Sequence, residues 1–233
     1  MKSILPIKEN KNCYASHEQR EVLCDLIKKQ ILNKSFFLTG GTALSVFYLH
    51  HRTSNDLDFF SLDDINLSDI DFKLKTILKK ADIKLRESHN FLSLLIKNVR
   101  VDFVIDPLSE KEKRSQATLD KDMELMLDTV SNIYSNKLTA LVSRNEPKDY
   151  IDFYYLHQTI SEKTFDRVYS DALKKDAIFE DPPTVAYQID EGIQFFREND
   201  DLIPNLLIEI NFSHFYNFYN QFCEWIYRKV TPA

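Results

Sequence analysis

Glycine is nearly missing from this chain. It occurs three times in 233 residues, and two of the three are adjacent, Gly40 and Gly41. A sequence this sparing with glycine keeps such a pair for a local purpose. Cysteine is almost as rare. Cys13, Cys24 and Cys223 are odd in number and show no CxxC spacing, which excludes a disulfide framework and a zinc ribbon and leaves free thiols, as expected of a reducing cytoplasm. No run approaches 18 apolar residues, so no membrane span is expected, and the opening MKSILPIKENKN lacks the apolar core of a signal peptide. Excess positive charge is missing too. Thirty Lys and Arg against 36 Asp and Glu give a net charge of -6, which excludes a surface coated in basic residues but not a local basic track.

What remains is an ordinary globular composition, 43% apolar and 28% charged, with aromatics crowded toward the C-terminus. Residues 16–33 read as an amphipathic helix with a Ser16/Gln19 capping box and Val22, Leu23, Leu26, Ile27 and Ile31 on one face. Residues 36–38 read as a strand, 42–50 as a helix, 56–60 as a strand and 67–81 as a lysine-rich helix. Three further strands follow at 83–87, 91–96 and 99–105, the last two joined by a tight Lys97-Asn98 turn. Residues 109–121 read as mobile or loosely helical, and everything from Asp122 onward as helix, with segments at 131–143, 148–159, 161–174, 184–198 and 208–229. The expectation is an α+β protein: a mixed sheet with flanking helices over residues 1–115, then a helical domain over 116–233.

The chemistry is concentrated in FFLTGGTALSVFYLHHRTSNDLDFF, residues 36–60. On a strand, Asp56 and Asp58 point to one face with Cα atoms about 6.6 Å apart. Two carboxylates about 4.5 Å apart repel by roughly 4 kcal/mol at an effective dielectric of 20. A divalent cation reverses that sign, and oxygen-only ligands favour Mg2+ or Mn2+ over zinc. Alone, the pair also reads as a polar strand edge with Leu57 inward. Just upstream, Gly40-Gly41 separates a strand from a helix, the place where backbone N–H groups and a helix N-terminus accept phosphate, and Thr42 adds a hydroxyl. Taken alone, that is also a plain tight turn. Asp102, in VRVDFVID, lies on the strand face opposite Val99, Val101, Phe103 and Ile105. Beside the Asp56 strand it completes a three-carboxylate cluster able to ligate metal and deprotonate an acceptor hydroxyl. Elsewhere it is one acid on a solvated face.

In the helical half, NKLTALVSRNEPKDYIDFYYL places Lys137, Leu141 and Arg144 on one helix face. Lys137 is a candidate to neutralise a triphosphate. Asp149 is a candidate helix-terminus residue, and Asp152 a surface partner for Lys148. The basic run Lys73, Lys75, Lys79, Lys80, Lys84 and Arg86 could track a phosphate backbone, although such runs are more often solvated helix faces. The aromatic tail from Phe212 to Tyr227 has the spacing of packing more than of base stacking.

The phrases LTGGTAL…YLHHRTSNDLDFF and KLTAL…R…KDYIDFYYL resemble the two signature blocks of the AbiEii/AbiGii-type nucleotidyltransferase toxins, over residues 36–60 and 99–156. The resemblance implies a DNA polymerase β-like nucleotidyltransferase core. Asp56, Asp58 and Asp102 would be its Mg2+ or Mn2+ ligands, and Gly40, Gly41 and Thr42 its phosphate turn. Arg52 and Ser54 would shape the nucleotide pocket, with Lys137, Lys148 and Asp149 as further active-site residues contributed by the helical domain. The implied reaction moves a nucleoside monophosphate from an NTP to an acceptor, RNA such as a tRNA 3′ end, within a cytoplasmic toxin–antitoxin or phage-defence pair that includes a cognate antitoxin. Small-molecule or protein nucleotidylation, and an idle nucleotide-binding module, remain as alternatives. Residues 1–35 and 160–233 match nothing in the resemblance.

Overall fold

The computed structural model describes residues 6–32, 34–75, 83–107, 111, 113–120, 123–160 and 165–229. The chain divides into two compact units, Pro6–Val130 and, for the most part, Ser131–Ala233.

The first unit is built on a mixed sheet that has seven strands among the described residues: β1 (Phe36–Thr39), β2 (Leu57–Ser61), β3 (Ile83–Ser88), β4 (Phe91–Ile96), β5 (Val99–Ile105), β6 (Ser115–Leu119) and β7 (Met123–Leu127). Their spatial order is β3-β4-β5-β2-β1-β7-β6. The β2–β5 and β1–β7 pairs are parallel and the rest antiparallel. Alternation along β2 and β5 sends Leu57, Phe59, Val101 and Phe103 into the core, where Phe103 lies 5.3 Å from Phe36 and 5.5 Å from Phe59. Aromatic contacts of this kind add about 1 kcal/mol each beyond burial. The other face mixes polar side chains at one end with Phe37, Phe60, Val104 and Phe91 next along it. Lys97 and Asn98 both take positive φ, which closes the β4–β5 hairpin as a two-residue turn.

Helix α1 (His17–Lys28) starts as its sequence dictates: Ser16 Oγ accepts from Gln19 N, and Gln19 Oε1 accepts from Ala15 N. Its inward face holds Val22, Leu23 and Leu26. After β1 the chain makes one α-helical turn, α2 (Gly40–Ala43), and then widens into a π-helix over Leu44–Leu49 that ends on His50 at φ 57°. The sequence pattern predicted an ordinary helix here. Periodicity cannot distinguish four from five residues per hydrogen-bonded turn over so short a stretch. Residues 8–15 run alongside. Asn10 N donates to Val46 O, and Ala15 and Ser54 exchange backbone bonds with this strip through Ala15 N to Ser54 O and Ser54 N to Cys13 O. The N-terminal stretch therefore fixes the segment that carries Arg52 and Ser54. Helix α3 (Leu67–Lys75) follows β2.

Two sequence expectations are overturned in this unit. The stretch 109–121 was expected to be mobile or helical, but it contains β6, and the chain past Asp122 opens with β7, not helix. Ala117, Leu119, Met123, Leu125 and Leu127 are buried alternately, a strand pattern that the surrounding charges obscure. The hairpin extends the sheet, so the compact unit runs to Val130.

The second unit is helical: α4 (Val130–Ser143), α5 (Pro147–Thr159), α6 (Phe165–Leu173), α7 (Pro182–Glu198) and α8 (Phe212–Arg228). Pro147 and Pro182 each open a helix, where a missing N–H costs nothing. The aromatic tail is packing. Phe215, Phe218, Tyr219 and Phe222 are buried, Phe222 stands 5.2 Å from Phe153, and Tyr219 donates to Tyr150 O at 2.7 Å. No helix among the described residues is long and apolar enough to cross a membrane.

Candidate active site

The strand registers set one polar row across the sheet. Thr39 pairs with Asp58, Asp58 with Asp102, and Asp102 with Ser93, so these four side chains share a face on four successive strands. Asp58 and Asp102 are direct neighbours on parallel strands. Asp102 is buried and accepts from Ser93 Oγ, from Arg100 Nε at 3.2 Å and from Arg100 Nη2 at 2.9 Å. At the other end of the row, Thr39 Oγ1 donates to Asp128 Oδ2 at 2.6 Å.

Asp56 lies one residue ahead of β2, not within it as its spacing predicted. Its backbone is held instead of laddered. Thr42 Oγ1 donates to Asp56 O, and Gln19 Nε2 donates to the same carbonyl at 3.2 Å. All three carboxylates nevertheless act on the Arg100 guanidinium. The Arg100 guanidinium is held above its ordinary pKa first by its hydrogen bonds to Asp102, against the cost of burial, and then by the charges of Asp102, Asp56 and Asp58.

Both glycines of the turn are required by what approaches them. Gly40 has φ +66°, and a Cβ there would stand 2.5 Å from Asp58 Oδ2. A Cβ on Gly41 would stand 2.6 Å from Arg52 Nη2 and 3.0 Å from Ser54 Oγ. The turn thus brings Gly40 against Asp58 and Gly41 against the Arg52–Ser54 segment. Thr42, Arg52 and Ser54 are buried, and Thr42 Oγ1 lies 3.0 Å from Ser54 Oγ. These three residues, expected to bind nucleotide, pack around Gly41 and the Asp56 backbone.

In the helical unit, Lys137 on α4 and Arg144 just past its end, expected on one helix face with Leu141, both meet Asp149 of α5, which was expected only at the helix terminus. Lys137 Nζ stands 2.7 Å from both Asp149 Oδ1 and Asp152 Oδ2, and Arg144 grips Asp149 through Nε and Nη2 at 2.7 and 2.9 Å. Lys137, Asp149 and Asp152 are buried, whereas Arg144 is half-exposed. Burial pushes the Asp149 carboxyl up, but Lys137 and Arg144 outweigh it and hold the group below the usual carboxylate range. Asp152, expected to meet Lys148 on the surface, is instead buried against Lys137; Lys148 pairs with Glu146 at 2.8 Å. The Asp-x-x-Asp spacing of 149 and 152 places both carboxylates on one helical face, which is the signal that would have found this.

Sequence reasoning missed Arg100, Ser93 and Gln19. Arg100 was legible, since it stands two residues from Asp102 on the same strand face. Ser93 and Gln19 depend on pairings that no local pattern encodes. Of the basic run, Lys73 is exposed on α3, while Lys79 and Lys80 and the side chains of Lys75, Lys84 and Arg86 lie outside the described residues.

Whether the residues present suit a divalent cation turns on the donor set. The polar row offers hard carboxylate oxygens on adjacent strands and a buried serine hydroxyl behind one of them, a chemistry that fits Mg2+ or Mn2+. As placed, no three His, Cys, Asp or Glu side chains among the described residues stand close enough to share one ion. The Asp102 carboxylate is turned onto Arg100 instead.

A mixed sheet with paired acids on its parallel β2–β5 strands, a glycine turn against them and a following helical unit define a protein with the nucleotidyltransferase fold. JHP933 from Helicobacter pylori matches with a TM-score of 0.58 at 14% identity, over 96% of this chain and 95% of that one. MenT4, a nucleotidyltransferase toxin from Mycobacterium tuberculosis, matches with a TM-score of 0.53 at 15% identity, over 91% of this chain and 84% of that one. At such identities the likeness is one of fold. The family follows from residues 21–204, which match the nucleotidyl transferase AbiEii toxins of type IV toxin–antitoxin systems; the chain belongs to that family. No curated protein sequence matches the chain. Membership makes it a nucleotidyl transferase with an NTP substrate and the toxin of a pair that includes an antitoxin.

Proposed function

We propose that the protein transfers a nucleoside monophosphate from an NTP to a hydroxyl of RNA, such as a tRNA 3′ end, with Mg2+ or Mn2+ held by Asp56, Asp58 and Asp102. The observation that carries this reading is the register Asp58↔Asp102, which sets two carboxylates side by side on one face of the sheet. In the transfer, the acceptor oxygen bonds to the α-phosphorus as the bond to the departing pyrophosphate breaks, and the hydroxyl proton passes to a carboxylate of the row. A divalent cation would neutralise phosphate charge and lower the pKa of the acceptor hydroxyl. Gly40 and Gly41 bring backbone N–H groups to the phosphates, while Thr42 holds the Asp56 backbone and Arg52 with Ser54 backs the turn. Lys137, Lys148 and Asp149 are proposed as further residues on which transfer depends, with Asp149 fixing the Lys137 ammonium.

The test is incubation of the protein with each labelled NTP, Mg2+ and total cell RNA. Label should appear on RNA with the wild type and vanish with EDTA or with Asp58→Asn, while Asp58→Asn keeps its melting temperature. Label on a small molecule or a protein in place of RNA would overturn the acceptor. Undiminished transfer by Asp58→Asn would overturn the site.

A further inference from the structure

Asp102 already has occupants. Its Oδ1 accepts from Ser93 Oγ and from Arg100 Nε, and its Oδ2 accepts from Arg100 Nη2 at 2.9 Å. The two partners differ in kind. Ser93 is buried on β4 and closes the inner side of the carboxylate. Arg100 lies on the outer side, with 51% of its side chain exposed against 9% for Asp102. The two alternate along β5 and so share a face, which lets the guanidinium fold onto the carboxylate without any change in the strand. Asp56 and Asp58 act on the same guanidinium. Such a fork over a carboxylate is among the stronger ionic contacts a protein makes. A metal at Asp102 would have to compete with it, because two cations sharing those oxygens would repel each other.

We propose that Arg100 is an exchangeable counter-ion for the carboxylate row. In the metal-free protein it caps Asp102 and neutralises the crowded acids. When a divalent cation binds, the guanidinium leaves Asp102 and swings toward solvent. Its half-exposed position allows this without opening the core, while Ser93 stays and keeps the carboxylate oriented. Arg100 thereby sets how tightly, and above what concentration of free cation, the site loads. The inference rests on the reading of Asp102 as a metal ligand, and the experiment separates the two.

Titrate the whole protein with MgCl2 alone, following heat by calorimetry and the arginine Nε–H resonances by nitrogen-15 NMR. The Arg100 resonance should move with the same midpoint as the heat of Mg2+ binding. Arg100→Gln, at a half-exposed position, should bind Mg2+ several-fold more tightly than wild type and melt lower when metal-free. Arg100→Lys keeps the charge but loses the fork, and should fall between the two. An Arg100 resonance unmoved at saturating Mg2+, or Arg100→Gln binding no tighter than wild type, overturns the inference. Mg2+ binding by Asp102→Asn equal to wild type would instead overturn the metal reading.

Discussion

Gly40 places the backbone where only a residue without Cβ fits, with Asp58 Oδ2 against it and φ in the left-handed region. Gly40→Ala costs about 1–2 kcal/mol for the left-handed conformation alone, and the Asp58 carboxylate must also move. The expected result is a melting temperature lower by several degrees and a loss of transfer of at least about tenfold. Activity equal to wild type would show that Asp58 is not held by this turn. Lys137 presents the opposite situation, a charge that is buried and paired. Lys137→Ala leaves Asp149 and Asp152 without their shared ammonium, and breaking a buried ion pair costs about 3–5 kcal/mol. Thermal melting should therefore fall sharply, and adding Asp152→Asn should restore part of the loss. An unchanged melting temperature would show that the cluster contributes nothing to the fold. At this scale the sequence was informative about identity and less so about role. Asp58, Asp102 and the glycine pair stand out by spacing, but that Thr42 holds the Asp56 carbonyl, or that Ser93 closes on Asp102, depends on which segments the fold brings together.

Among the elements, those with a single unbroken period were legible. Helices α4, α5, α7 and α8 and strands β3–β5 lie within a few residues of their predicted spans, whereas α1, expected over residues 16–33, ends at Lys28 and leaves Ile31 outside it. The β6–β7 hairpin was not, because short strands broken by charge and lacking an Asn-Gly turn look like linker. Helix α7 contains the third glycine, Gly192, which a helix normally rejects. The reason is tertiary: a Cβ there would collide with the Asn145 and Tyr150 side chains, which bond to each other at the α4–α5 turn. His157, on α5, accepts from or donates to Tyr134 Oη at 2.7 Å and stacks on Phe165 at 4.6 Å. Burial pushes its pKa below 6.5. The unfolded chain then takes up the proton first, so this residue's contribution to stability is intact above about pH 6.5 and declines as pH falls below that value. Thermal melts from pH 7.5 to 5.5 should show a slope that His157→Phe flattens. An identical slope in the variant would place the pH sensitivity elsewhere.

For the molecule as a whole, hydrophobic periodicity along the chain correctly foretold an α+β sheet unit followed by a helical one. The order of strands was out of reach, since it is decided by which hydrophobic faces find each other across long separations. That order has a temporal consequence. Asp58 and Asp102 sit side by side only through the parallel β2–β5 ladder, which joins segments about 40 residues apart and needs α3, β3 and β4 in between. The β4–β5 hairpin, closed by two residues, forms locally and quickly, whereas closing the longer loop carries a greater entropic cost and comes later. Pulse-labelled hydrogen exchange during refolding should find amides of the β4–β5 hairpin protected before those of the β2–β5 ladder. Until that ladder closes, Asp58 and Asp102 lie on separate strands, so the proposed site is among the last features of the sheet to be assembled.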